Sequence, residues 1–155
     1  MKFTNKILCV LAVLALIPAI ALSDDAPPIQ QVVAPIEVTL SPVEYADKYA
    51  TQYQIDSRVF KKVMWCESNN DPNAVGDSGK AKNVLQFHEQ TFVSYAKKIG
   101  GILDYDSYHD QIKVGAYMFS IGQARQWTTY RAIMNGGIYI FTDSKGITHT
   151  VKCKL

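Results

Sequence analysis

Between residues 41 and 134 apolar side chains recur every three or four positions, in stretches separated by polar runs; beyond residue 134 the period drops to two. The first rhythm is that of helices buried along one face, the second that of strands. Ser41-Pro42-Val43-Glu44 is a helix start. The serine hydroxyl serves the third amide, Glu44 reaches back, and Pro42 takes the first helical position, where no amide is needed. Val43, Ala46, Ala50 and Tyr53 then share a face. Asp56 caps a second helix, along which Ile55, Val59, Val63 and Cys66 point to a core while Phe60, Met64 and Glu67 form the adjacent stripe. Asn69 to Lys82 is polar, contains Gly76 and Gly79, and reads as a loop. His88 to Ile99 makes a third helix, with Phe92, Tyr95, Ala96 and Ile99 on one side and Gly100-Gly101 as its stop. Asp106 to Ile121 makes a fourth, with Ile112, Gly115, Ala116 and Phe119 inward and Gly122 at its end. Gln123 to Met134 continues as helix, until Asn135-Gly136-Gly137 breaks it. Ile138 to Thr142 and Ile147 to Val151, joined by Asp143-Ser144-Lys145-Gly146, predict a β-hairpin. Two strands alone are marginal, so the hairpin must dock on the helices or dimerise. The fold class expected is mainly α, a helical domain with a short C-terminal β-hairpin.

The chain's beginning changes the account of its charge. Lys2 and Lys6, the apolar run Ile7–Leu22 and the small residues Ala21 and Ser23 before Asp24 are the parts of a secretory signal peptide, residues 1–23. The run is shorter than the roughly 20 residues a spanning helix needs, and Pro18 interrupts it. Cleavage near Ser23-Asp24 and a secreted or periplasmic, cell-envelope-associated protein are expected; a membrane partner enters only if the segment stays uncleaved. Loss of two lysines from 16 basic residues leaves 14 against 14 acidic ones, so the mature chain is formally neutral. No basic patch points to nucleic acid. Residues 24–41, with Pro27, Pro28 and Pro35, read as an extended tether. Residues 42–134 then form one compact domain and 135–155 the hairpin extension, since about 114 residues build one core and not two; a monomer is expected.

Cys66 and Cys153 are the two cysteines of the mature chain. A bridge between them is possible in an oxidising compartment, as is a buried Cys66 with a free Cys153. No metal spacing exists: His88, His109 and His149 lie far apart, and a calcium loop opening at Asp71 would need glutamate where Lys82 stands. No metal or other cofactor is expected.

The residue that carries chemistry is Glu67, the last member of a semi-apolar stripe at a helix end. Burial there disfavours its charged form and raises its pKa, and a helix C-terminus is a poor place for a solvated glutamate. Asp71, Asp77, Asp104, Asp106 and Asp110 are candidates for a second carboxylate, though each fits a turn or cap role. Trp127 and Tyr130 are the aromatics expected in a cleft, Tyr95 is expected in the core, and Trp65 is expected to be exposed or at a groove edge.

Glu67-Ser68, followed by Asp71-Pro72-Asn73-Ala74 and then Gly79 to Leu85-Gln86, resembles the catalytic region of the soluble lytic transglycosylases, which share a lysozyme-like fold with goose-type lysozymes. Ala116 to Gly122 is similar to a second block of that family, with Phe119 and Ser120 where the family has tyrosine and asparagine. Lys80 is an extra residue, and Asn83 replaces a glycine; asparagine tolerates the left-handed conformation such a position demands. The resemblance implies Glu67 as catalytic acid/base, with Ser68, Gln86, Phe119 and Ser120 on the substrate side. It implies peptidoglycan glycan strands as the partner and a 1,6-anhydro product. A water-using muramidase and a non-catalytic cell-wall-binding module are the competing readings.

Overall fold

The computed structural model describes residues 39–155; the signal segment and most of the tether lie outside them. Helix α1 (Pro42–Tyr53) starts with the reciprocal cap expected of Ser41 and Glu44, the Glu44 carboxylate accepting the Ser41 amide at 2.8 Å. Its buried face is Ala46, Tyr49 and Ala50, so the inward stripe turns away from Val43, which is exposed. Helix α2 (Ser57–Ser68) is capped by Asp56, whose carboxylate accepts the amides of Arg58 and Val59. Phe60, Val63 and Met64 are fully buried, whereas Ile55, Val59 and Cys66 pack against the core's edge. The stripe that ends in Glu67 is therefore the deeper one. Asn69, in the left-handed region, ends the helix.

Residues 69–88 are more ordered than a loop. They form a small antiparallel sheet in the order β1 (Val75–Gly76), β2 (Ala81–Lys82), β3 (Phe87–His88). Two-residue strands carry too little alternation to stand out in a sequence, and this sheet is held by side chains as much as by its ladder. Asn83 has φ 61° and is buried, its amide group donating to the carbonyls of Tyr105 and Asp106. The left-handed turn expected of asparagine is present, with a hydrogen-bonding role that glycine could not fill.

Helix α3 (Glu89–Ile99) begins one residue later than expected, because His88 ends β3, and it stops at Gly100 with φ 82°. Helix α4 (Tyr108–Ser120) is trimmed at both ends relative to the sequence expectation. Ser107 takes the cap, and the Asp104 carboxylate holds the Asp106 amide in the preceding turn. Tyr49 joins α1 to α4 through a hydroxyl contact with His109 Nε2, and burial followed by the nearby Asp110 charge pushes its phenol up to about 12. The helix expected over Gln123–Met134 is broken into a short 3-10 turn (Gln123–Gln126) and α5 (Thr128–Met134). Trp127 causes the break. It is extended, φ −82° and ψ 124°, with its indole N–H donating to the Leu85 carbonyl at 2.9 Å. A ring drawn into the core outweighs helical continuity.

The chain finishes in the expected hairpin, β4 (Ile138–Thr142) against β5 (Thr148–Lys152), in the register Tyr139 opposite Val151. Ile147 belongs to the turn, where its amide donates to the Asp143 carboxylate. The hairpin docks on the helices. Gly137 donates to the Ala132 carbonyl at 2.7 Å, and Cys153 is bonded to Cys66 with Cα atoms 6.1 Å apart.

Candidate active site

Glu67 stands at the end of α2, part-buried, on the wall of a cleft of about 220 Å³. Trp127, Phe87 and Met118 give the cleft apolar surface; Gln86, His88, Thr91, Gln126 and Thr128 give it polar groups. One carboxylate oxygen, Oε1, accepts from the Thr129 hydroxyl at 2.5 Å. Burial pushes the Glu67 carboxyl above the ordinary glutamate range, and the Thr129 bond pulls it partly back. The result is an acid that keeps its proton to higher pH than a solvated glutamate, held by one oriented hydroxyl.

The residues singled out around it divide. Ser68 faces inward, its hydroxyl donating to the Val84 carbonyl at 2.9 Å and the Met64 carbonyl at 3.2 Å. It ties the end of α2 to the strand-bearing segment and fixes where Glu67 points. Gln86 lines the cleft, but its amide nitrogen donates to the carbonyls of Asn83 at 2.8 Å and Ala74 at 3.2 Å. A Cβ on Gly76 would come within 2.2 Å of Gln86 Oε1, so Gly76 is the close approach that lets this glutamine brace the sheet. Trp127 is buried and lines the cleft. Phe119 lies behind it, edge-on to Phe60 with centroids 4.9 Å apart and tilted against Trp127, and does not line the cleft. Ser120 is exposed and donates to the Tyr117 carbonyl, and Tyr130 lines neighbouring hollows instead. Trp65 is half-exposed on the outer side of α2 beneath Lys62.

Thr129 was not legible as a partner of the acid. Its position follows from the break at Trp127, which restarts a helix at Thr128 and brings its first turn to Glu67. A pair of threonines directly after a tryptophan was the available signal.

The candidate second carboxylates are engaged elsewhere. Asp71 accepts the Asn73 amide, Asp104 the Asp106 amide and Asp110 the Asp104 amide, while Asp106 pairs with Lys82 at 2.7 Å. Asp77 does not line the cleft; it pairs at 3.1 Å with His88, which does. Among the described residues, Glu67 is the cleft's one lining carboxylate.

Fold and site together define a mainly helical domain with one carboxylate lining its cleft among the described residues. Residues 44–134 match the Transglycosylase SLT domain family, more than half of the sequence, and the chain belongs to that family. At family level it is a peptidoglycan-acting domain of the lytic transglycosylase type. No curated protein and no solved structure matches the chain.

Proposed function

We propose that this protein is a lytic transglycosylase that cleaves the β-1,4 bond between N-acetylmuramic acid and N-acetylglucosamine with Glu67 as sole acid/base. The observation that carries this reading is a part-buried glutamate, its carboxyl pushed up by burial, that is the only carboxylate lining its cleft among the described residues. Hydrolytic glycosidases commonly place two carboxylates about the bond, one of them to act on water or on the sugar. A single acid suffices when the attacking group belongs to the substrate. Protonated Glu67 gives its proton to the glycosidic oxygen as the C1–O bond breaks. The carboxylate so formed takes the proton of the muramoyl 6-hydroxyl as O6 bonds to C1. The sugar ends as a 1,6-anhydro ring, no water is consumed, and the acid is restored.

The raised pKa suits the first step, because the reactive form is the protonated one. Trp127 and Phe87 put the apolar edges of buried rings on the cleft wall. The test is to incubate residues 24–155 and the Glu67→Gln variant with purified peptidoglycan and weigh the released muropeptides. Products lighter by one water, with turnover lower by about 10²–10⁴-fold in the variant and binding retained, are expected. Reducing-end products, or a fully active variant, would overturn the assignment.

Export completes the proposal, since the polymer lies outside the cytoplasmic membrane. Intact mass of the protein recovered from a bacterial envelope fraction should place the first residue at Asp24. A chain that keeps residues 1–23 in the cytosol would contradict it.

A further inference from the structure

The segment that bears Thr129 borders a second hollow. Arg125, Tyr130, Arg131, Met134, Asn135 and Tyr139 enclose about 470 Å³ between α5 and the hairpin, sharing no lining residue with the Glu67 cleft. Tyr139 belongs to β4, which lies beyond the matched residues 44–134, so this hollow is built partly by the extension.

Its chemistry is cationic without a counter-charge. Neither guanidinium has a carboxylate partner within 4.0 Å among the described residues, and no acidic residue lines the hollow. Asp56, in the adjoining hollow with Arg125 and Tyr130, is occupied in capping α2 and pairs with Arg58 at 3.5 Å. Arg131 is nevertheless held in place. Its Nε donates to the Arg125 carbonyl at 2.6 Å, its Nη1 donates to the Tyr139 hydroxyl at 2.8 Å, and its guanidinium lies 5.3 Å from the centre of that ring. These contacts orient the fork and neutralise none of its charge. An oriented arginine with a second arginine and a phenol beside it fits a planar carboxylate.

We infer that the hollow between α5 and the hairpin binds the carboxylates of the peptide that hangs from the glycan strand, so that the domain favours peptide-bearing over bare glycan. The inference rests on the proposed function for the identity of the polymer. Reach supports it: three or four extended residues span roughly 10–14 Å, about the diameter of a helix with its side chains. A peptide of that length hanging from a muramoyl unit is therefore long enough to pass over one helix.

The probe is the free stem tetrapeptide, L-Ala-D-Glu-diamino acid-D-Ala, titrated into residues 24–155 and followed by NMR shifts of Tyr139 and the arginine side chains. Binding is expected, weaker by about tenfold with Arg131→Gln and further with Arg125→Gln added. It should weaken as salt rises from about 0.05 to 0.5 M and when the peptide carboxyls are amidated. Release from peptide-free strands should be unchanged in the arginine variants, which also shows that they fold. No tetrapeptide binding up to about 10 mM, equal binding of the amidated peptide, or equal binding by the double variant would overturn the inference. The two proposals fail separately. Anhydro products without tetrapeptide binding remove the anion site alone; tetrapeptide binding by a protein that makes no anhydro products removes the activity alone.

Discussion

At Glu67 two opposed influences set the acid, and they are separable by mutation. Desolvation is the larger and raises its pKa; the Thr129 hydroxyl, bonded at 2.5 Å, stabilises the charged form and lowers it. Thr129→Val keeps the shape of a buried side chain and removes the donor. The Glu67 pKa should then rise further. Because the donating form is protonated, activity survives to higher pH as the pKa climbs. The alkaline limb of the kcat profile should therefore move upward. An unmoved limb in a folded, active variant would remove Thr129 from the control of the acid. Glu67 itself was legible, since its place on an apolar stripe and its mismatch with a helix C-terminus both show in one dimension. Thr129 was not, because the contact spans 62 residues of chain and depends on where a helix restarts.

Elements were readable where local chemistry decides them and misread where the core does. Ser41, Asp56 and Gly100 mark helix ends through bonds or dihedrals of their own neighbourhoods, and those ends fall where expected within a residue or two. The break at Trp127 has no local cause, since it comes from an indole seeking the Leu85 carbonyl 42 residues away. The three-stranded sheet was missed for a related reason. Its strands are two residues long, and Gln86 and Asn83 hold it through side-chain bonds to distant carbonyls. Leu85 is pinned by the same packing, and a Cβ on Gly115 in α4 would meet its Cδ1 at 2.3 Å and Phe60 at 3.4 Å. Alanine favours a helix interior over glycine by about 1 kcal/mol, yet overpacking a full core costs about 1–3 kcal/mol. Gly115→Ala should therefore lower the melting temperature, and an unchanged or higher one would mean that α4 has room to shift.

Over the whole molecule, the hairpin is attached by backbone bonds, the Arg131–Tyr139 contact and one covalent link. The Cys66–Cys153 bond joins residues 87 apart, a closure worth up to about 4–5 kcal/mol in chain-entropy terms, and often less in practice. Reduction with dithiothreitol should lower the melting temperature by several degrees or more, read by circular dichroism beside the oxidised protein. Equal transitions would mean that the helices hold the hairpin without it. Cys66 adjoins Glu67, so loosening at the hairpin reaches the acid's own helix turn.

That arrangement has a consequence in time. During synthesis Cys153 is added 87 residues after Cys66, a delay of about 4–17 seconds at ordinary elongation rates. The residues of the helices and the cleft have all been made before the lock beside the acid has its second half. The last turn of α2 is thus sealed only after the rest of the described chain has been made.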